Sequence, residues 1–318
     1  MRVLVLGATG FVGQRVCRVL AEDGAQIVAG VRPSSDTDPI REKVDEIRVI
    51  SLNDPNTIAA AMRGCDAVVH AAGTNDPSTP RSVAGEIDLA GTENVILACA
   101  SKDNTKLVFI SRADVTLGRG ERIAASETFP VHKPPSNAWL DIKRITDDVA
   151  SVYTNGIVLR PAFLWGAGDD RTMNRLRSEA EHGGIRMVGD GRNLMSTTYI
   201  GNLAHAVVCA LKTDRATTGA YQICDREITS ANTFTRELSE AMGWPAPKKN
   251  AHPFLDKITS FIGVNRLHPI DFLRVTQTAA LDDSAARKNL AYEPRYDRAD
   301  ALIEMRDELA TRSQEQAR

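Results

Sequence analysis

The chain has 318 residues, enough to bury a full core, and its size suggests two domains or one large α/β domain with an appendage. Its 39 Lys plus Arg nearly balance 41 Asp plus Glu, so no summed field gathers nucleic acid or an anionic membrane surface, and those partners fall away. No apolar run approaches the roughly 18 residues of a membrane helix, and five scattered cysteines lack C-x-x-C spacing, which points to buried free thiols in a cytoplasmic protein without a metal site.

The chain begins MRVLVLGATGFVG. Val3 to Leu6 has the length and branching of a buried parallel strand, and it breaks at once into Gly7, Gly10 and Gly13. Each glycine answers a separate need: Gly7 a backbone angle forbidden to a Cβ, Gly10 the approach of main chain to a pyrophosphate, Gly13 the packing of helix on strand. The loop, with Thr9, Phe11 and Val12 between the glycines, therefore reads as a dinucleotide cradle. Phosphate sits there on a helix N-terminus, whose unpaired N–H groups and dipole favour negative charge. The helix that follows carries Val12, Val16, Val19 and Leu20 on one face and stops at Gly24.

Gln26 to Val31 is a second strand, ending in Arg32-Pro33-Ser34-Ser35. An acid at this point would bind the ribose 2′-hydroxyl; the cation Arg32, with Ser34 nearby, instead suits a 2′-phosphate and favours NADPH over NADH. Strand Ile47 to Ser51, a helix start at Asp54-Pro55 and strand Ala67 to His70 continue the alternation. That alternation predicts a Rossmann-type doubly wound parallel sheet with helices on both faces. Ala71-Ala72-Gly73 ends the fourth strand with side chains small enough to leave room for a cofactor, and His70 reads as a hydrogen-bonded structural residue.

A long helix from about Ser82 to Ser101 precedes strand Lys106 to Ile110 and an irregular stretch, Ser111 to Asn137. The helix Ala138 to about Tyr153 places Trp139 and Lys143 four residues apart on one face. Strand Ile157 to Leu159 runs into Arg160-Pro161, and a further helix begins near Gly201. Beyond Gly219 the alternation weakens, and helices near Ser230 to Met242, Phe254 to Ile262 and Asp283 to Asn289 read as a cap, with a polar, fraying tail from Thr311 to Arg318. Residues 1–165 are thus expected to form the cofactor domain, with a return strand and helix near 186–223. Residues 166–318 are expected to form a discontinuous, mostly helical substrate cap.

As a set, Gly7 to Gly13, Asp66 to Gly73, Gly91-Thr92-Glu93-Asn94, Leu159-Arg160-Pro161 and Ser196 to Ala204 resemble the extended short-chain dehydrogenase/reductase family, in particular its branch near the steroid dehydrogenases. The resemblance runs almost end to end. It implies a nicotinamide cofactor held by the glycine loop, by Ala71, Ala72 and Gly73, by Lys143 and by Pro161, Ala162 and Phe163, with a small ketone substrate under the cap. Family members often dimerise through helices matching Ser82 to Ser101 and Ala138 to Tyr153, which leaves a homodimer open here. Phe163, Leu164, Trp165, Leu194, Met195 and Tyr199 fall on the expected substrate side.

The catalytic centre departs from the pattern. The family's Y-x-x-x-K pair falls on Trp139 and Lys143, and its serine falls on Arg112, with Ser111 one position early. Lys143, Ser111, Trp139 and Arg112 are accordingly the catalytic candidates. An indole N–H donates a hydrogen bond but is no practical acid, so the usual proton donor is missing. A substrate whose carbonyl is hydrogen-bonded to its own phenol would suffer least from that loss. Here the chain resembles atypical ketoreductases of angucyclinone-type aromatic polyketides. A non-redox isomerase or cyclase and a cofactor-sensing protein without turnover are the competing readings.

Overall fold

The computed structural model describes residues 1–102, 104–187, 189–213, 217–248 and 268–316. The helix expected over Phe254 to Ile262 lies outside the described residues. From the N-terminus the elements run β1 (Arg2–Leu6), α1 (Phe11–Glu22), β2 (Gln26–Val31), β3 (Glu46–Val49), α2 (Pro55–Ala61) and β4 (Ala67–His70). They continue with α3 (Arg81–Ala84), a π-helical turn (Gly85–Ala90), α4 (Gly91–Ser101), β5 (Lys106–Ile110), β6 (Arg122–Ala125), α5 (Ala138–Ser151) and β7 (Gly156–Pro161).

Seven parallel strands form the central sheet in the order β11-β7-β5-β4-β1-β2-β3, with β11 at Gly219–Ile223. β1 shows why these runs make central strands. Its alternate residues enter two separate cores: Val3 and Val5 pack with Ile27, Ala29, Val69 and Val108, while Leu4 and Leu6 pack with Val28, Val68 and Leu107 on the other face. Strand order reverses between β1 and β4, which opens a crevice outside their carboxyl ends. All five cysteines are free; four are buried and Cys209 is half-buried.

Beyond β7 lie β8 (Phe163–Trp165), α6 (Asp170–Glu181), β9 (Leu194–Met195), β10 (Thr197–Tyr199), α7 (Ile200–Lys212), β12 (Thr229–Ser230) and α8 (Ala231–Ala241). After residue 267 come α9 (Pro269–Thr276), β13 (Ala279–Leu281), α10 (Ser284–Leu290) and α11 (Arg298–Gln316). Three findings differ from the sequence reading. The long helix before β5 is interrupted by the π turn. The stretch after Ser111 contains β6, which joins a four-stranded sheet, β12-β9-β13-β6. The tail expected to fray from Thr311 is helical to Gln316, as the end of α11. That helix packs on α1, where Arg15 Nη1 lies 2.6 Å from Glu304 and Arg15 Nη2 lies 3.0 Å from Glu308. Arg18 also meets Glu304, at 3.0 Å, and Glu308. The same helix buries Ala301, Leu302 and Met305 in the main core, with Leu309 packed against it, so its apolar face and its ionic face both anchor it.

Candidate active site

A cavity of about 530 Å³ opens at the crevice. Gly10, Phe11, Val12 and the segment Ala71 to Thr74 line one side; Ser111, Arg112, Lys143 and Pro161 to Leu164 line another. The segments after β8 contribute Asp169, Arg171 and Arg175 around α6, and Asp271 and Arg274 from α9.

The glycine loop fits a dinucleotide. Gly7 has φ +81°, and a Cβ on it would lie 2.7 Å from the backbone N of Ala72; a Cβ on Gly13 would lie 2.0 Å from the carbonyl oxygen of Gly7. Loop, helix and β4 end therefore meet backbone to backbone. Gly10 caps α1 without a side-chain hydrogen bond, leaving the first N–H groups of a 12-residue helix free for an anion.

Lys143 closes a buried polar ring. Its Nζ lies 3.0 Å from Asp88 Oδ1, on a carboxylate only 2% exposed. Asp88 accepts from the backbone N of Thr74 at 2.7 Å and from the Thr74 hydroxyl, and that hydroxyl accepts the indole N–H of Trp139 at 2.9 Å. The ammonium also sits 5.5 Å from the centre of the Trp139 ring, as their spacing on α5 dictates. Asn137 starts that helix by accepting the N–H of Leu140 at 2.8 Å, and Asp88 comes from the π turn, a distortion frequent at functional sites. Burial lowers the Lys143 pKa, Asp88 raises it and Arg112 lowers it again, leaving it at about 8.

The second catalytic candidate, Arg112, lays its guanidinium on the Trp139 ring at 4.6 Å and pairs with Asp114 at 2.9 Å. Burial would raise the Asp114 carboxyl, but Arg274, at 3.0 Å, and Arg112 hold it at about 2. Ser111 lines the cavity, yet its hydroxyl bonds to Asp147, a carboxylate 1% exposed that also forks onto Arg160 at 3.0 and 3.1 Å. His70 is fully buried, 3.1 Å from the Thr92 hydroxyl, and burial keeps it neutral with a pKa of about 3.

Of the predicted residues, Gly10, Phe11, Val12, Ala71, Ala72, Gly73, Ser111, Arg112, Lys143, Pro161, Ala162 and Phe163 come together on the cavity wall. Gly7, Thr9 and Gly13 shape the loop without lining the cavity, and Arg32 and Ser34 are exposed at the far end of β2. Trp139 is placed otherwise than expected of a catalytic residue: it is 1% exposed, its N–H is committed to Thr74, and it does not line the cavity. Leu164 lines the cavity, whereas Trp165 and Tyr199 are buried in the main core. None of the chain's five tyrosines lines it. The sequence reading missed Thr74, Asp88, Asp114, Arg171, Arg175, Asp271 and Arg274. The four-residue spacing of Arg171 and Arg175 and the three-residue spacing of Asp271 and Arg274, each a shared helical face, were there to find.

The profile of the 3-beta hydroxysteroid dehydrogenase/isomerase family matches residues 4–253. The chain belongs to this family. It is an NAD(P)-dependent oxidoreductase of the extended short-chain dehydrogenase/reductase type, of ketoreductase kind. Within the similarity range of this 3-beta hydroxysteroid dehydrogenase/isomerase family member, a 2-alkyl-3-oxoalkanoate reductase of Stenotrophomonas maltophilia (strain K279a) is 33% identical over 262 residues, 78% of each chain. A 4-hydroxy-2-methyl-3-oxo-4-farnesyl-3,4-dihydroquinoline-1-oxide ketoreductase of Stigmatella aurantiaca is 23% identical over 323 residues, 96% of each. The UDP-glucose 4-epimerase of Thermotoga maritima, solved with UDP-glucose, shares the fold with a TM-score of 0.77 at 18% identity, over 98% of this chain and 99% of that one. Among the described residues no helix is long and apolar enough to cross a membrane, and no group of His, Cys, Asp and Glu could hold a metal ion.

Proposed function

We propose that the chain is an NADPH-dependent ketoreductase of small-molecule biosynthesis that takes the carbonyl proton from its substrate rather than from a side chain. One observation carries the reading: the tyrosine position of the family is Trp139, with its N–H committed to Thr74, and no tyrosine lines the cavity. The nicotinamide, when bound, supplies the hydride. Lys143, steadied by Asp88, is the residue for the cofactor's ribose, and Arg112 lends positive charge near the carbonyl oxygen as it becomes an alkoxide. A phenol adjacent to the carbonyl, as in aromatic polyketides, would then deliver the proton. Trp139→Phe keeps the ring under Arg112 and Lys143, so kcat should change by less than about 10-fold, well short of the 10²-fold or more expected on losing a general acid. Methylating the neighbouring phenol of an aromatic ketone should slow turnover more. Steady-state kinetics on both pairs check this, and abolished turnover in Trp139→Phe with an indifferent methyl ether would overturn it.

Support for NADPH over NADH comes from Arg32, exposed at the end of β2 with no acid beside it in sequence. Arg32→Ala should weaken NADPH binding by about 10- to 100-fold, the worth of a charge-assisted hydrogen bond, and leave NADH binding unchanged. Fluorescence titration of each cofactor reads this directly, and equal NADPH affinity in the two proteins would contradict it. A 3-oxo acid is a second reading of the substrate. The Stenotrophomonas relative, a 2-alkyl-3-oxoalkanoate reductase, and the arginines on the cavity wall favour it.

A further inference from the structure

The cap wall of the cavity carries a cluster of arginines and carboxylates in which one arginine, Arg175, is left without a hydrogen bond among the described residues. Arg171 lies 2.7 Å from Asp271, Arg274 lies 2.9 Å from Asp271 and 3.0 Å from Asp114, and Arg112 shares Asp114 at 2.9 Å. Asp76, 3.7 Å from Arg171, brings the carboxylates serving these three arginines to three. A further carboxylate on this wall, Asp169, caps α6 by accepting the N–H of Thr172. Arg175, one helical turn beyond Arg171, has no hydrogen bond or ion pair among the described residues, and its Nε is buried without a partner. The nearest acid along the helix, Glu179, accepts the backbone N–H of Arg186 and acts on Arg175 through its charge, as Asp271 does, without a hydrogen bond to it. A buried N–H of this kind is costly to leave unmet, although the rest of the half-buried Arg175 reaches solvent.

Arg175 stands where two cavities join. The larger is the one already described; the smaller, about 80 Å³, has an apolar wall of Leu176, Ile185, Met195, Phe234 and Leu238, with Glu179 and Arg186 as its other charged members. They share Phe163, Arg175 and Val275. We propose that Arg175 receives a carboxylate of the substrate, with an apolar chain of the same molecule entering the smaller cavity. The planar fork of arginine matches the two oxygens of a carboxylate, and the junction sets the charged group beside an apolar channel. The substrate class is therefore a ketone bearing both a carboxylate and an aliphatic or aryl tail. This assignment rests on the larger cavity being the site of carbonyl reduction.

Two unreactive probes test it on NADPH-loaded protein by calorimetry: octanoate, and octanamide of equal length without charge. Octanoate should bind more tightly, Arg175→Met should weaken octanoate by about 10- to 100-fold while octanamide is unchanged, and Arg175→Lys should keep part of the preference. Equal binding of the two probes to the parent protein, no binding of either, or an undiminished preference in Arg175→Met would overturn the assignment; where Arg175→Met does not fold, full parental octanoate affinity in Arg175→Lys would do the same. NADPH oxidation with a panel of neutral and acidic ketones separates this failure from that of the underlying reading. Reduction of ketones with no advantage for the acids removes only the Arg175 assignment, whereas no reduction of any ketone removes both.

Discussion

Lys143→Ala should lower kcat/KM by about 100-fold or more, because it removes a charge-assisted contact and leaves the buried Asp88 without its cation. The same lysine gives the activity a pH limb. Its pKa of about 8 lies below the ordinary lysine value, so the ammonium is present at neutral pH and is lost as pH rises through about 8. Cofactor affinity should fall along that limb, and NADPH titrations between pH 6 and pH 10 follow it. An affinity that stays flat across pH 8 in the parent protein, or a variant as active as the parent, would remove Lys143 from the site.

Asp147→Ala should cost about 3–5 kcal/mol of stability, the usual penalty for stranding one partner of a buried ion pair. Arg160 would keep its charge in the interior with only the Glu127 carbonyl, 3.0 Å from its Nη1, in place of the fork it makes now. Urea denaturation measures the loss. The companion variant Ser111→Ala separates structure from catalysis: its hydroxyl is spent on Asp147, so it should cost only about 1 kcal/mol and leave kcat within a few-fold of the parent. A large fall in kcat without a fall in stability would return Ser111 to the chemistry.

The cofactor half was legible in the sequence because its signals are local. A run such as Val3 to Leu6 declares a strand buried on both faces, and three glycines at fixed offsets declare a loop pressed against its neighbours. Trp139 and Lys143 were legible as a pair for the same reason, since four residues is one turn of helix. Asp88 was not. It reaches Lys143 from a π turn in another helix, and nothing in Gly85 to Ala90 separates that geometry from an ordinary helix. The arginines of the cap were hidden likewise, because Arg274 meets Asp114 only through packing of α9 against the loop after β5. β6 escaped because it is four residues long, includes Ala124 at φ +47°, and takes its partner from residues 279–281.

The clasp between α1 and α11 bears on the order in which the molecule can be completed. Arg15 is 5% exposed, and its carboxylate partners are Glu304 and Glu308, nearly the whole chain away. The Tyr199 hydroxyl, bonded both to Arg15 at 3.0 Å and to Glu304 at 2.8 Å, depends on the same late arrival. A ribosome that has made the entire glycine loop and its helix has therefore made a segment whose arginine stays hydrated, and cannot take its interior place, until Glu304 and Glu308 have been made. The glycine-loop helix is synthesised early and completed late.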